Sequence, residues 1–119
     1  QGVYSHETAL SIYELSDIMP SKLHMTVPIA FRKNIAPPPI LILHKKNLSK
    51  SDVEQMRGFS VTRPLCTLCD LLEAKTVSED IIRQALASGL KKGLITRSEI
   101  KKHEPADARD TITRMMQEI

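Results

Sequence analysis

The chain has 119 residues, 41% of them hydrophobic, and its 17 Lys and Arg against 14 Asp and Glu leave a formal charge of +3. A chain of this size buries roughly two-thirds of its unfolded surface around one core, so the reading is a single domain over residues 1–119. Two Tyr, two Phe and no Trp exclude the aromatic platform on which single-strand binders stack bases, and the longest apolar run, Ile40 to Leu43, is too short to span a bilayer.

The first helix is expected from Ser5, placed as its cap, through Ala9, Leu10, Ile12 and Tyr13, with Pro20 as its stop. KLHMTVP then alternates, Leu23, Met25 and Val27 on one face and His24 and Thr26 on the other, which is the period of a half-buried strand. A basic, proline-rich connection from Ile29 to Pro39 leads into ILILH, a second strand expected at the centre of the sheet. DVEQMRGFSVT predicts a hairpin turning at Gly58. Thr62 is then expected to cap a helix with Pro64 in its first turn and Leu65, Leu68, Cys69 and Leu72 along one face.

The remainder reads as helical. Ser78 caps a segment with Ile81, Ile82, Ala85, Leu86, Gly89 and Leu90 at helical spacing, and Gly93 is placed to end it in the left-handed conformation. Thr96 and Glu99 form a capping box, with Ile95 and Ile100 as its hydrophobic staple. Ala108, Ile112, Met115, Met116 and Ile119 make one stripe on the last helix, facing the domain's own core or, as the alternative, a partner. The fold class is therefore α+β: a small mixed β-sheet from about 22 to 62, packed by an N-terminal helix and a C-terminal set of about four helices.

The chemistry-bearing residues are sparse. Cys66-Thr-Leu-Cys69 supplies two of the four ligands that a structural zinc site needs, and His6, His24, His44 and His103 form no second paired motif, so no metal, cofactor or catalytic residue is expected. The cysteines read as helix-core residues, and two are too few for a secreted disulfide scaffold, which fits a cytoplasmic location. Glu73-Ala74-Lys75 and Glu99-Ile100-Lys101 have the E-x-K spacing of metal nucleases, but residues two apart on a helix diverge and cannot meet at one metal. Four scattered glycines make no phosphate-cradling loop. Lys91, Lys92, Arg97, Lys101 and Lys102 fall near one helix junction, and Lys45 and Lys46 follow the second strand. They are either a solvated surface or a patch that contacts nucleic-acid phosphates.

The order and spacing of four segments resemble a known family: S-H-E-x-A-L at Ser5 to Leu10, K-x-H-x-T-V-P at Lys22 to Pro28, G-x-x-V-T-x-P at Gly58 to Pro64, and G-L-x-T-R-x-E-I at Gly93 to Ile100. Together with Phe31-Arg32-Lys33 they look like the C-terminal domain of AbiEi-type antitoxins of the bacterial abortive-infection AbiE toxin-antitoxin systems, over about residues 2 to 101. The resemblance implies a non-enzymatic antitoxin domain that counteracts a nucleotidyltransferase-like toxin, with an N-terminal winged-helix domain for promoter DNA in the full-length protein. The start at Gln1-Gly2 fits the absence of that domain here. The alternative is a DNA-binding or dimerisation module of a transcriptional regulator without antitoxin action. One departure is plain: the family's P-x-R-T-L-x-D-L helix has a basic residue where this chain has Cys66, and Cys69 stands where an apolar residue is usual.

Overall fold

The computed structural model describes residues 2–32, 36–103 and 106–119; residues 33–35, within the proline-rich connection, and 104–105 lie outside the described set. A five-stranded mixed sheet and five helices give the α+β architecture. In chain order these are β1 (Val3–Tyr4), α1 (His6–Ile12), β2 (Leu23–Val27), β3 (Leu41–Lys45), β4 (Val53–Met56), β5 (Phe59–Thr62), α2 (Pro64–Ala74), α3 (Glu79–Lys92), α4 (Arg97–Lys102) and α5 (Ala106–Gln117).

The sheet order is β3-β2-β1-β5-β4. ILILH is therefore an edge strand and not the central one. The centre is taken by β1, whose two residues carry no period that a pattern search can see, yet pair antiparallel with β2 and parallel with β5. The apolar run in β3 is only half-buried, because it has a neighbour on one side alone, the parallel β2. The hairpin forms as expected, with Gly58 at φ +88° between β4 and β5.

Helix α1 lies between β2 and α2, and α2 in turn meets α3 and α5. One apolar cluster unites them: Ala9, Leu10 and Tyr13 from the first helical segment, Val61 from the sheet, and Leu68, Leu71, Ile82, Leu86, Ile95, Ile100, Ile112 and Met115 from the rest. Tyr13 anchors the far end of α1 by donating from its hydroxyl to the Thr62 carbonyl at 2.9 Å. Helix α2 is buried over more of its circumference than the one face predicted: Cys66 is inside with Leu65, Leu68 and Leu71, while Cys69 and Leu72 are half-buried. Its N-cap is Arg63, not Thr62; Thr62 closes β5, and its hydroxyl bonds that of Thr67 at 2.6 Å. Pro64 at the first helical position needs no donor partner there.

The caps of α3 and α4 form as the sequence predicts. Ser78 accepts from the Ile81 amide, the Thr96–Glu99 capping box is complete, and Ile95 and Ile100 both sit in the core. Gly93 at φ +75° ends α3. Gly89 has a different role: a Cβ there would stand 2.7 Å from Ile95 Cδ1, so the missing side chain lets the turn after α3 fold back onto the helix. On α5, Ile112 and Met115 are buried, whereas Ile119, expected on the same stripe, lies beyond the helix end and is exposed. Among the described residues no helix is long and apolar enough to cross a membrane.

Two substitutions separate these glycine roles. Gly93→Ala should cost about 1–2 kcal/mol through backbone strain alone, and Gly89→Ala about 1–3 kcal/mol by overpacking. Urea unfolding of Gly89→Ala combined with Ile95→Val should recover part of the second loss and none of the first. Equal behaviour of the two glycine variants on that background would contradict the assignment.

Candidate functional site: a buried histidine cluster

The alternating strand β2 buries its polar side. His24 and Thr26 are 6% and 1% exposed, while Leu23 on the opposite face is 42% exposed. The polar side is buried because the start of α1 lies over it and satisfies it. The Ser5 amide donates to the His24 carbonyl at 3.0 Å, the His24 amide donates to Thr8 Oγ1 at 2.8 Å, and Thr26 Oγ1 donates to Ser5 Oγ at 2.8 Å. Ser5 thus occupies the N-cap position of α1 with extended backbone but makes no side-chain cap bond, because its hydroxyl serves the cluster. His6 follows at φ +54°, a left-handed conformation costing about 1–2 kcal/mol for a residue with a side chain.

That backbone turn sends the His6 ring inward. It stacks on His44 with centroids 3.7 Å apart and planes 11° from parallel, and Ser5 Oγ holds its Nδ1 at 2.8 Å. His44 comes from β3, opposite Thr26 in the register and diagonal to His24 on the same face. Its Nε2 is 3.0 Å from His24 Nδ1, and His24 Nε2 is 3.4 Å from the Glu7 carboxylate. Three histidines far apart in the sequence therefore make one stack, with a chain Glu7, His24, His44 running through it. No local spacing betrays this; the only sign in the sequence is that His24 and His44 sit on flanking strands and His6 beside a strand end.

The stack edges a cavity of about 320 Å³ whose other lining residues include Thr26, Lys46, Asp70 and Glu73. Lys46 Nζ bonds Asp70 Oδ1 at 2.8 Å. Burial raises the Asp70 carboxyl above its ordinary range, against the opposing pull of Lys46. Burial lowers the His6 imidazole from its ordinary 6.5 to about 3, reinforced by the nearby His44, His24 and Lys46. His44 is also lowered, by burial and then by His24. His6 and His44 are therefore held neutral in the folded chain, and what they offer is hydrogen bonding and proton exchange. Among the described residues no three His, Cys, Asp or Glu side chains converge in a geometry that could hold a metal ion.

The cysteines lie elsewhere, lining a larger cleft of about 640 Å³ with Leu72 and Glu79. Both are free thiols. Burial, then Asp70, pushes Cys69 up to about 12, and Cys66, 3.8 Å from Asp70 Oδ2, is raised by the same causes. Of the cations singled out in the sequence, Lys45 and Lys46 border the histidine cavity. Lys91, Lys92, Arg97, Lys101 and Lys102 are exposed at the α3–α4 junction, where Lys92 Nζ donates to the Glu14 carbonyl at 2.8 Å. No protein-family model matches the chain, and no curated protein matches it.

Two measurements test this site. Protons that the unfolded chain takes up at His6 but the folded chain refuses make stability rise with pH: the contribution is complete above about pH 6.5 and is lost as pH falls toward 3. His6 alone should cost about 2 kcal/mol in urea unfolding between pH 7 and pH 5. His6→Asn, which tolerates the left-handed backbone, should flatten that slope; an unchanged slope would place the titration elsewhere. At pH 8 both thiols should react with a disulfide reagent at least about tenfold more slowly than in the unfolded chain.

Proposed function

We infer that this chain is an antitoxin domain of a bacterial toxin-antitoxin system, acting in the cytoplasm and without catalysis against a nucleotidyltransferase-like toxin. In the full-length protein a winged-helix domain would add promoter binding and autoregulation. The observation that carries this reading is where the resembling segments fall. S-H-E-x-A-L and K-x-H-x-T-V-P meet in space, Ser5 to Thr26 and Glu7 to His24, so the two segments form one polar knot. G-x-x-V-T-x-P supplies the hairpin glycine, the Thr62–Thr67 bond and the first residue of α2. G-L-x-T-R-x-E-I supplies the α3 cap and the α4 capping box. Each segment thus supplies residues with a structural task, which is what a common fold requires.

The departure at Cys66 fits the same reading. A basic residue there would reach Asp70 one turn along α2; here Lys46 makes that contact from beyond β3, so the buried carboxylate keeps a cationic partner.

A DNA-supporting module is the second reading, favoured by the exposure of Lys91, Arg97, Lys101 and Lys102 around one helix junction. Such cations would add phosphate contacts and salt dependence without reading sequence. Co-expression of this chain with the cognate toxin distinguishes the two. Growth should be restored by the chain alone, and by the variant with Lys91, Lys92, Lys101 and Lys102 changed to Glu, while DNA binding by the full-length variant weakens and its salt slope falls by about one unit per lost contact. Failure of the unmodified chain to restore growth overturns the antitoxin reading. Failure of the Glu variant alone moves the cluster to the toxin-facing surface.

A further inference from the structure

The histidine cavity has a hydrogen-bonding capacity that the antitoxin reading does not use. His24 Nδ1 and His44 Nε2 share one hydrogen bond, and His44 Nδ1 stands outside it. On the other ring, Ser5 Oγ, which accepts from Thr26, pairs with His6 Nδ1 and leaves His6 Nε2 outside the network. Neither His44 Nδ1 nor His6 Nε2 has a partner among the described residues. Both rings line the cavity, and the one buried, unpartnered side-chain nitrogen or oxygen in the described structure is Arg83 Nε, so these two ring nitrogens are open to solvent.

Two nearly parallel rings 3.7 Å apart therefore offer two ring nitrogens with which a polar ligand can pair. Charge does not dominate the choice of ligand, because Lys45 and Lys46 are balanced by Asp70 and Glu73 around the same space. A carboxylate or phosphate would meet two carboxylates there, and an ammonium two lysines. An uncharged ligand with two adjacent hydroxyls fits instead, because each hydroxyl can donate or accept as the ring nitrogen opposite it requires. The volume of about 320 Å³ suits a sugar ring with room for part of a substituent.

We propose that the cavity between the His6–His44 stack and the Lys46–Asp70 pair is a binding site for a cis-diol, as carried by the ribose of a nucleoside or by the 3′ end of an RNA. The site is independent of the antitoxin reading. It requires neutral imidazoles, so binding weakens below the pH at which the stack takes up a proton.

The test is a titration of the chain labelled with 15N at histidine. Before any ligand is added, the ring nitrogen shifts at pH 8 should report neutral imidazoles at His6 and His44; a protonated ring at either overturns the proposal. Adenosine should then shift His44 Nδ1 and His6 Nε2 far more than either nitrogen of His103. 2′-Deoxyadenosine should bind about tenfold more weakly, the loss of one hydrogen bond. Equal binding of the two nucleosides, or no shift at about ten times the affinity limit of a weak ligand near 1 mM, overturns it. A short RNA with a free 3′ diol that competes with adenosine, when its 3′-phosphate counterpart does not, assigns the diol to an RNA end. Competition by neither oligonucleotide, with adenosine still bound, assigns it to free nucleosides. Equal competition by both overturns recognition of the diol.

Discussion

The fold turns on a buried polar knot between the start of α1 and the strands beside it. Ser5, Thr8, His24 and Thr26 exchange hydrogen bonds in a space from which water is largely excluded, and His6 and His44 close over them. Such a network stabilises only when each member finds a partner, since one orphaned group inside costs as much as several good bonds contribute. The knot therefore specifies several things together: the helix direction, the pairing of β2 with β3, and the left-handed turn at His6. An apolar contact in the same place would tolerate slippage. This one does not, because a shift by one residue would move His24 and Thr26 to the opposite face.

The division of labour along the chain follows from this. Helices α2 to α5 gather around Leu68, Leu71, Leu86 and Met115, and their boundaries are set by local chemistry: a proline start, serine and threonine caps, and a glycine stop. The N-terminal region depends on long-range pairing. Tyr13 is the hinge between the two, apolar ring in the core and hydroxyl on the Thr62 carbonyl. Burial, with Glu54 beside the hydroxyl, raises its phenol, so it remains a donor at neutral pH.

What could be read from the sequence reflects the same contrast. The C-terminal helices, the hairpin at Gly58 and the Thr96–Glu99 box were legible because their signals lie within a few residues of one another, whereas α1 ends at Ile12, well before the Pro20 expected to stop it. The position of β3 was not. An apolar run argues for burial, and only the two-residue strand β1, too short to carry a period, displaces it to the edge. The histidine cluster was hidden for a related reason: His6, His24 and His44 are joined by sheet register and one unusual φ angle, neither of which leaves a spacing to count. Arg63 replaced Thr62 as the α2 cap because Thr62 ends β5 and its hydroxyl is taken up by Thr67.

The placement of β1 also bears on how the molecule carries mechanical load. Val3 and Tyr4 pair with Thr26 and Met25 on one side, and Tyr4 pairs with Val61 on the other. A pull applied at Val3 along the strand does not peel an edge one bond at a time; it loads the pairings of β1 with both β2 and β5. Tension transmitted from this end would reach the middle of the sheet first and the helical half last. The region that yields under force would then be the one that houses the stacked imidazoles.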